Sequence, residues 1–394
     1  MRIAILTSGI LPVPAVQGGA VENLIDFYLD YNNRHRLHDI TVYSVWHPDV
    51  ESHAALKSKV NHYRYIDTSS LFAKMRRRLY KVFHSHEYYN YFIEFFFEQA
   101  YRQIRKEHYD CIIIENRPGY VKKLAERGFD NVVLHLHNDL LNNTTPYHRQ
   151  VFDSLNRILT VSDYIKSCVS TIEKSDKIVT IYNGINLNQF SRKKSVAISR
   201  VDMGFDEKDI VLVYSGRINK DKGIEELISA MLLLQDMPDI KLLVIGSTFF
   251  GNAANEDDFV RALVDKAKVI SHRLFFTGFV PYDRMPDYLH MADIAIIPSI
   301  WNDPFPTTVL EAQAMGLPII CSNRGGIPEE VEKDNAIIVS TEFQYVENLA
   351  NAIRHLYYSP QRRADMAKVS LRHSTQFDKN RFARDFFHAL ESLS

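Results

Sequence analysis

Ile294-Ala295-Ile296-Ile297-Pro298-Ser299-Ile300-Trp301-Asn302-Asp303-Pro304-Phe305-Pro306-Thr307-Thr308-Val309-Leu310-Glu311-Ala312-Gln313-Ala314-Met315-Gly316-Leu317-Pro318-Ile319-Ile320-Cys321 reads as strand, loop, helix and strand in one pass. Its two end runs are short and apolar without polar alternation, the pattern of strands covered on both faces by helices. The three prolines of the loop bar regular structure before Thr307, and Gly316-Leu317-Pro318 stops the helix. A strand, a crossover helix and a second buried strand form the unit from which parallel sheets are built.

The same unit recurs along the chain. Apolar runs stand at 3–6, 40–45, 111–114, 132–136, 158–161 and 178–181, and again at 210–214, 242–245, 274–276, 294–297, 318–321 and 337–339. Helical patterns separate them. Twelve buried strands are too many for one ordinary sheet, so the reading is α/β, with two facing doubly wound Rossmann-like domains. Tyr182-Asn183-Gly184 carries a turn signal, and the polar stretch Ser191-Arg192-Lys193-Lys194-Ser195 follows it. The expected domains are therefore 1–185, joined by a last helix within 376–394, and 186–375. Ligands of such sheets sit beyond the carboxyl ends of the strands, so an inter-domain cleft is the expected active site.

Composition narrows the classes further. The 394 residues carry a formal net charge of −1, which offers no field for gathering nucleic acid. Cys111, Cys168 and Cys321 form neither a disulfide framework nor a zinc spacing. No run reaches the roughly 18 apolar residues of a membrane span. The opening run ends at Thr7-Ser8-Gly9, which favours a buried first strand over a signal peptide, and with it a cytoplasmic location is expected. Gly-x-Gly, Gly-x-x-x-x-Gly-Lys and Asp-x-Asp are all missing from the sequence. Dinucleotide, P-loop and metal-held diphosphate chemistry are thereby set aside.

Two clusters remain that suit a phosphate. The amides of Thr307 and Thr308 open a helix whose dipole favours an anion, and Glu311 lies one turn on, on the same face. Pro306 is expected in the first helical turn. Arg217 and Lys222, in Tyr214-Ser215-Gly216-Arg217-Ile218-Asn219-Lys220-Asp221-Lys222-Gly223, flank a tight loop between the strand at 210–214 and a helix at 224–234. There they can pair with a diphosphate. Taken singly, a capped helix with an exposed glutamate and a solvated basic loop explain the same residues.

Together, these clusters resemble those of the retaining, nucleotide-sugar-dependent glycosyltransferases of the GT-B type, family 4, and the resemblance spans nearly the whole chain. It implies that Gly18, Gly19, Arg217, Lys222, Thr307 and Thr308 hold the donor diphosphate. Phe279 and Val280 would meet the nucleotide base, with Glu311 at the ribose. It also places His137, Asp303 and Glu311 at the reaction centre. Two departures stand out: Asp303 occupies the first position of a glutamate pair, and Pro306 occupies a glycine's. The resemblance implies no metal or other cofactor, a nucleotide sugar (a UDP-sugar by commonness) as co-substrate, and a saccharide acceptor in surface polysaccharide synthesis.

His135 and His137 share one face of a strand, a His-x-His arrangement with no further Glu or His at a matching spacing to complete a metal set. His84-Ser85-His86 reads as loop surface. Lys74-Met75-Arg76-Arg77-Arg78-Leu79-Tyr80-Lys81-Val82-Phe83 sets five positive charges among apolar residues, ahead of an aromatic stretch at 88–97. One reading is a helix pair with a solvated basic face and an aromatic core. The other is peripheral attachment of 74–83 to the inner face of the plasma membrane, where a lipid-linked acceptor resides. An amphipathic helix over 378–393 is expected to pack on the first domain. A non-hydrolysing nucleotide-sugar epimerase and a non-catalytic nucleotide-sugar sensor are the competing functions.

Overall fold

The computed structural model describes residues 1–83, 89–192, 198–247 and 258–391. His84-Ser85-His86 and Lys193-Lys194-Ser195 lie outside them. The chain forms two compact units, Met1–Asn183 with Lys379–Ser394, and Gly184–Asp378. Gln376 to Asp378 stay with the second unit because the Ile185 N–H donates to the Phe377 carbonyl at 2.7 Å.

The first unit holds a seven-stranded sheet of β1 (Arg2–Leu6), β2 (Asp39–Val45), β3 (Asn61–Ile66), β4 (Cys111–Glu115), β5 (Val132–Leu136), β6 (Arg157–Thr160) and β7 (Ile178–Thr180). The strands lie in the order β3-β2-β1-β4-β5-β6-β7, and every ladder is parallel. The opening run 3–6 is thus an interior strand of the sheet, paired on both sides. β3 has no counterpart among the runs read from the sequence. As an edge strand it alternates polar and apolar residues, and its one inward asparagine, Asn61, is satisfied by Asn32 of α1 (Ala20–His35), whose amide donates to it at 2.7 Å.

The last helix, Lys379–Glu391, lies in this unit and packs on α1. Phe386 stacks on Tyr28 with ring centroids 4.2 Å apart, and Phe387 meets Tyr28 edge-on at 6.2 Å. Such pairs contribute about 0.5–1.5 kcal/mol each beyond the area they bury. The segment between β3 and β4 forms α2 (Leu71–Phe83) and α3 (Tyr91–Ile104). α3 buries Phe95, Phe96 and Phe97, the expected aromatic core face. α2 exposes Lys74 and Arg78, as a solvated basic face does, but Leu71, Phe72, Met75 and Leu79 are exposed as well, and Arg76 turns inward to Gln99 of α3 at 2.9 Å.

The second unit holds β8 (Ile210–Ser215), β9 (Ile240–Ile245), β10 (Leu274–Gly278), β11 (Ile294–Ile297), β12 (Ile319–Ser322) and β13 (Ala336–Val339). Their order is β10-β9-β8-β11-β12-β13, again with parallel ladders. In each sheet the winding reverses once, between β1 and β4 and between β8 and β11. Loops diverge at these points and leave a crevice at the strand carboxyl ends.

Candidate active site

The crevice of the second unit gathers the basic loop and the helix start, because they follow the neighbouring strands β8 and β11. Tyr214 Oη donates to the Arg217 carbonyl at 2.7 Å and shapes the loop from within. The Asp221 carbonyl accepts from the backbone N–H groups of Ile300 and Trp301 at 3.0 and 3.1 Å, which ties the β8 loop to the β11 loop. Lys222, held by this tie, pairs with the carboxylate of Asp303 and lies 5.5 Å from the centre of the Trp301 ring. Arg217 is exposed on the same loop.

Asp303 is only 5% exposed. The resemblance gave it a place of its own at the sugar, yet in the structure its carboxylate is engaged by the lysine assigned to the diphosphate. The helix Thr307–Ala314 begins one residue later than expected. Pro306 takes an extended cap conformation with ψ 123°, and no side chain caps the helix. The first amides are those of Thr307 and Thr308, both half-buried. Glu311 is buried rather than an exposed surface residue, and burial lifts its carboxyl to about 7, against the lowering effect of a hydrogen bond with Thr307. It changes charge near neutral pH, directly behind an uncapped helix start.

Phe279 and Val280 follow β10. The Gly246 N–H donates to the Gly278 carbonyl at 3.0 Å, and a Cβ on Gly246 would stand 1.9 Å from the Gly216 carbonyl oxygen. The loops after β8, β9 and β10 are therefore drawn together, with Phe279 exposed beside them.

In the first unit Gly18 and Gly19 precede α1 with φ 75° and 103°. Glu22, in the first turn of α1, is buried beside Gly19 and is raised to about 7 by burial. At the carboxyl ends of β4 and β5 stands a residue that the sequence reading missed. Glu115 Oε2 lies 2.8 Å from His137 Nε2 and 3.1 Å from His135 Nδ1, and Tyr28 Oη donates to Oε1 at 2.9 Å. The expectation that no glutamate completes the His-x-His pair is thus corrected: Glu115 arrives from the neighbouring strand, its partner in register being His135. The three potential ligand atoms lie within 4.8 Å of one another. The contacts have hydrogen-bond lengths, and they hold the Glu115 carboxyl well below the usual carboxylate range despite full burial. His137 is lowered to about 4 by burial and by His135. A polar residue closing the apolar run 111–114 was the signal available for Glu115.

Comparisons with known proteins agree with this organisation. Residues 33–189 match a family model described as Glycosyltransferase Family 4, and residues 196–372 match Glycosyl transferases group 1. Spore coat protein SA of Bacillus subtilis is 28% identical over 99% of both chains. Lipopolysaccharide 1,2-N-acetylglucosaminetransferase of Salmonella typhimurium is 27% identical over 56% of each. Among solved structures, Anabaena HepE in complex with UDP-glucose superposes with a TM-score of 0.74 at 21% identity over the whole of both chains. Sucrose-phosphate synthase of Thermosynechococcus elongatus reaches 0.78 at 18% identity, covering 100% of this chain and 99% of its own. Two parallel-sheet Rossmann-like units of the GT-B kind, each matched over most of its length by a glycosyltransferase model, make the chain a glycosyltransferase of the group 1, family 4 type.

Proposed function

We propose that the chain moves a hexose from a UDP-sugar to a lipid-linked saccharide, with retention at the anomeric carbon, in the assembly of a surface polysaccharide. The arrangement of Lys222, Arg217 and the uncapped amides of Thr307 and Thr308 at one crevice carries this reading. A leaving diphosphate gains negative charge in the transition state, and preset cations and amides there lower the barrier without a metal ion. Phe279 and Val280 hold the base through their backbone, and Glu311 accepts from the ribose. Gly18 and Gly19 let backbone approach the donor, and His137 and Asp303 act at the transferred sugar. The acceptor hydroxyl attacks on the leaving-group face, its proton passing to the departing phosphate. The first unit selects the acceptor and the second holds the donor.

The UDP-glucose complex of HepE and the lipopolysaccharide relative support the donor and the product class. The test is transfer from a panel of nucleotide sugars in the presence of a chelator. A UDP-hexose should raise the melting midpoint and be consumed only with acceptor, giving a retained linkage. Consumption that stops with chelator and returns with manganese, or epimerised donor formed without acceptor, would overturn the reading.

Among the described residues no helix is long and apolar enough to cross a membrane. Membrane attachment in this reading rests on α2, whose exposed Leu71, Phe72, Met75 and Leu79 follow helical spacing beside exposed Lys74 and Arg78. Because Arg76 is engaged by α3, the informative variant is Met75→Asp, Leu79→Asp with Lys74→Glu and Arg78→Glu. Sedimentation with vesicles rich in phosphatidylglycerol should fall about tenfold or more, from lost apolar burial and about 1 kcal/mol for each basic residue removed. Unchanged sedimentation removes this part of the proposal.

A further inference from the structure

The Glu115, His135 and His137 trio has a definite proton arrangement. Glu115 is fully buried and held ionised by its neighbours, and an ionised carboxylate can only accept hydrogen bonds. Each ring nitrogen facing it must therefore carry a proton. His135 is fixed with its proton on Nδ1, and His137 with its proton on Nε2. The Tyr28 hydroxyl on Oε1 fixes the carboxylate itself. The His137 backbone is anchored as well, its N–H donating to Asn116 Oδ1 at 3.0 Å. His137 Nδ1, the ring nitrogen that does not face Glu115, is then a lone pair. Glu22 on α1 is a further charged group that interacts with the carboxylate.

We infer that Glu115 is a positioning residue, which orients His137 and fixes it as a neutral acceptor, with Nδ1 offered to a hydroxyl of the transferred sugar. The inference rests on the proposed transferase reading, in which His137 meets that sugar. A ring of the opposite tautomer would present an N–H at the same place and oppose a donating hydroxyl less well than a lone pair does. Third-group orientation of a histidine by a buried carboxylate is a recurring way to set ring direction and tautomer.

The experiment has a spectroscopic arm and a kinetic arm on the full chain. Long-range proton–nitrogen correlation of 15N-histidine protein near pH 7 should show His137 neutral with its proton on Nε2, and a proton on the His135 Nδ1 that faces Glu115. The opposite tautomer of His137, or a His137 imidazolium, overturns the proposal. So do stoichiometric zinc in the purified protein and a chelator-induced shift of both rings, since the trio is then a cation site. In the kinetic arm, Glu115→Gln keeps the side-chain shape and should lower kcat about tenfold or more while UDP affinity stays within about twofold. Glu115→Asp, which keeps the charge, should recover part of the loss. A Gln variant with wild-type kcat refutes the positioning role. If wild-type protein turns over no UDP-sugar, the transferase reading fails, and the nitrogen spectra still decide the tautomer.

Discussion

Nucleotide-sugar binding should weaken by about two to four orders of magnitude when Arg217→Ala and Lys222→Met are combined, since each removes a charge-assisted contact of about 1.5–3 kcal/mol. Isothermal titration with UDP-sugars measures it, and undiminished affinity would falsify the cradle. Lys222 carries a second consequence, because it is paired with Asp303. Lys222→Met alone leaves a carboxylate that is 5% exposed without its cation. Losing one partner of a buried pair costs about 3–5 kcal/mol, and the 22% exposure of the Lys222 side chain reduces this to about 2–4 kcal/mol. Adding Asp303→Asn removes the stranded charge, so urea titration should show most of the stability returning while binding stays lost. If stability does not return, the pair is not what holds Lys222 in place. In the proposed reading Lys222 has two partners in turn: it pairs with Asp303, and an incoming diphosphate competes with that carboxylate for it.

What could be read without a structure follows from how far each signal reaches along the chain. The strands at the sheet centres were legible because burial on both faces writes an unbroken apolar run, as in 111–114 and 294–297. The edge strand β3 was not, since His62 and Arg64 face solvent and break the run. The helix start at Thr307 and the basic loop at Arg217 were legible as local chemistry. The Lys222–Asp303 pair joins residues 81 apart and depends on β8 lying beside β11. Glu115 was hidden for a similar reason: only the parallel register that sets it opposite His135 makes it a partner. For α2 the composition was legible, and which way its apolar stripe faces was not. A basic helix with a hydrophobic stripe looks the same in sequence whether the stripe meets a core or is exposed, and here the core face is made by Ala73, Arg76 and Tyr80.

Gly223→Ala should be among the most damaging single-methyl additions in the second unit. The residue sits at φ +69°, and a Cβ there would stand 1.9 Å from the Pro298 carbonyl oxygen and 2.6 Å from its carbon. Neither atom can yield as a side chain would, because Pro298 lies between β11 and the loop whose N–H groups bind the Asp221 carbonyl. The left-handed backbone costs a non-glycine residue about 1–2 kcal/mol, and overpacking adds about 1–3 kcal/mol. The β8 loop must then lift off the β11 loop, carrying Lys222 away from Asp303 and the helix start. Stability should fall by about 2–5 kcal/mol, and nucleotide-sugar affinity by about tenfold or more, as lost preorganisation. Gly204→Ala separates the two causes. Gly204 has nearly the same backbone, φ +80°, but its Cβ would find only Phe275 Cε1 at 3.8 Å, an ordinary contact. It should cost about 1–2 kcal/mol, the conformational part alone, and leave binding unchanged. Equal losses for the two variants would mean that backbone conformation accounts for the effect and that close approach of the two loops does not organise the phosphate site.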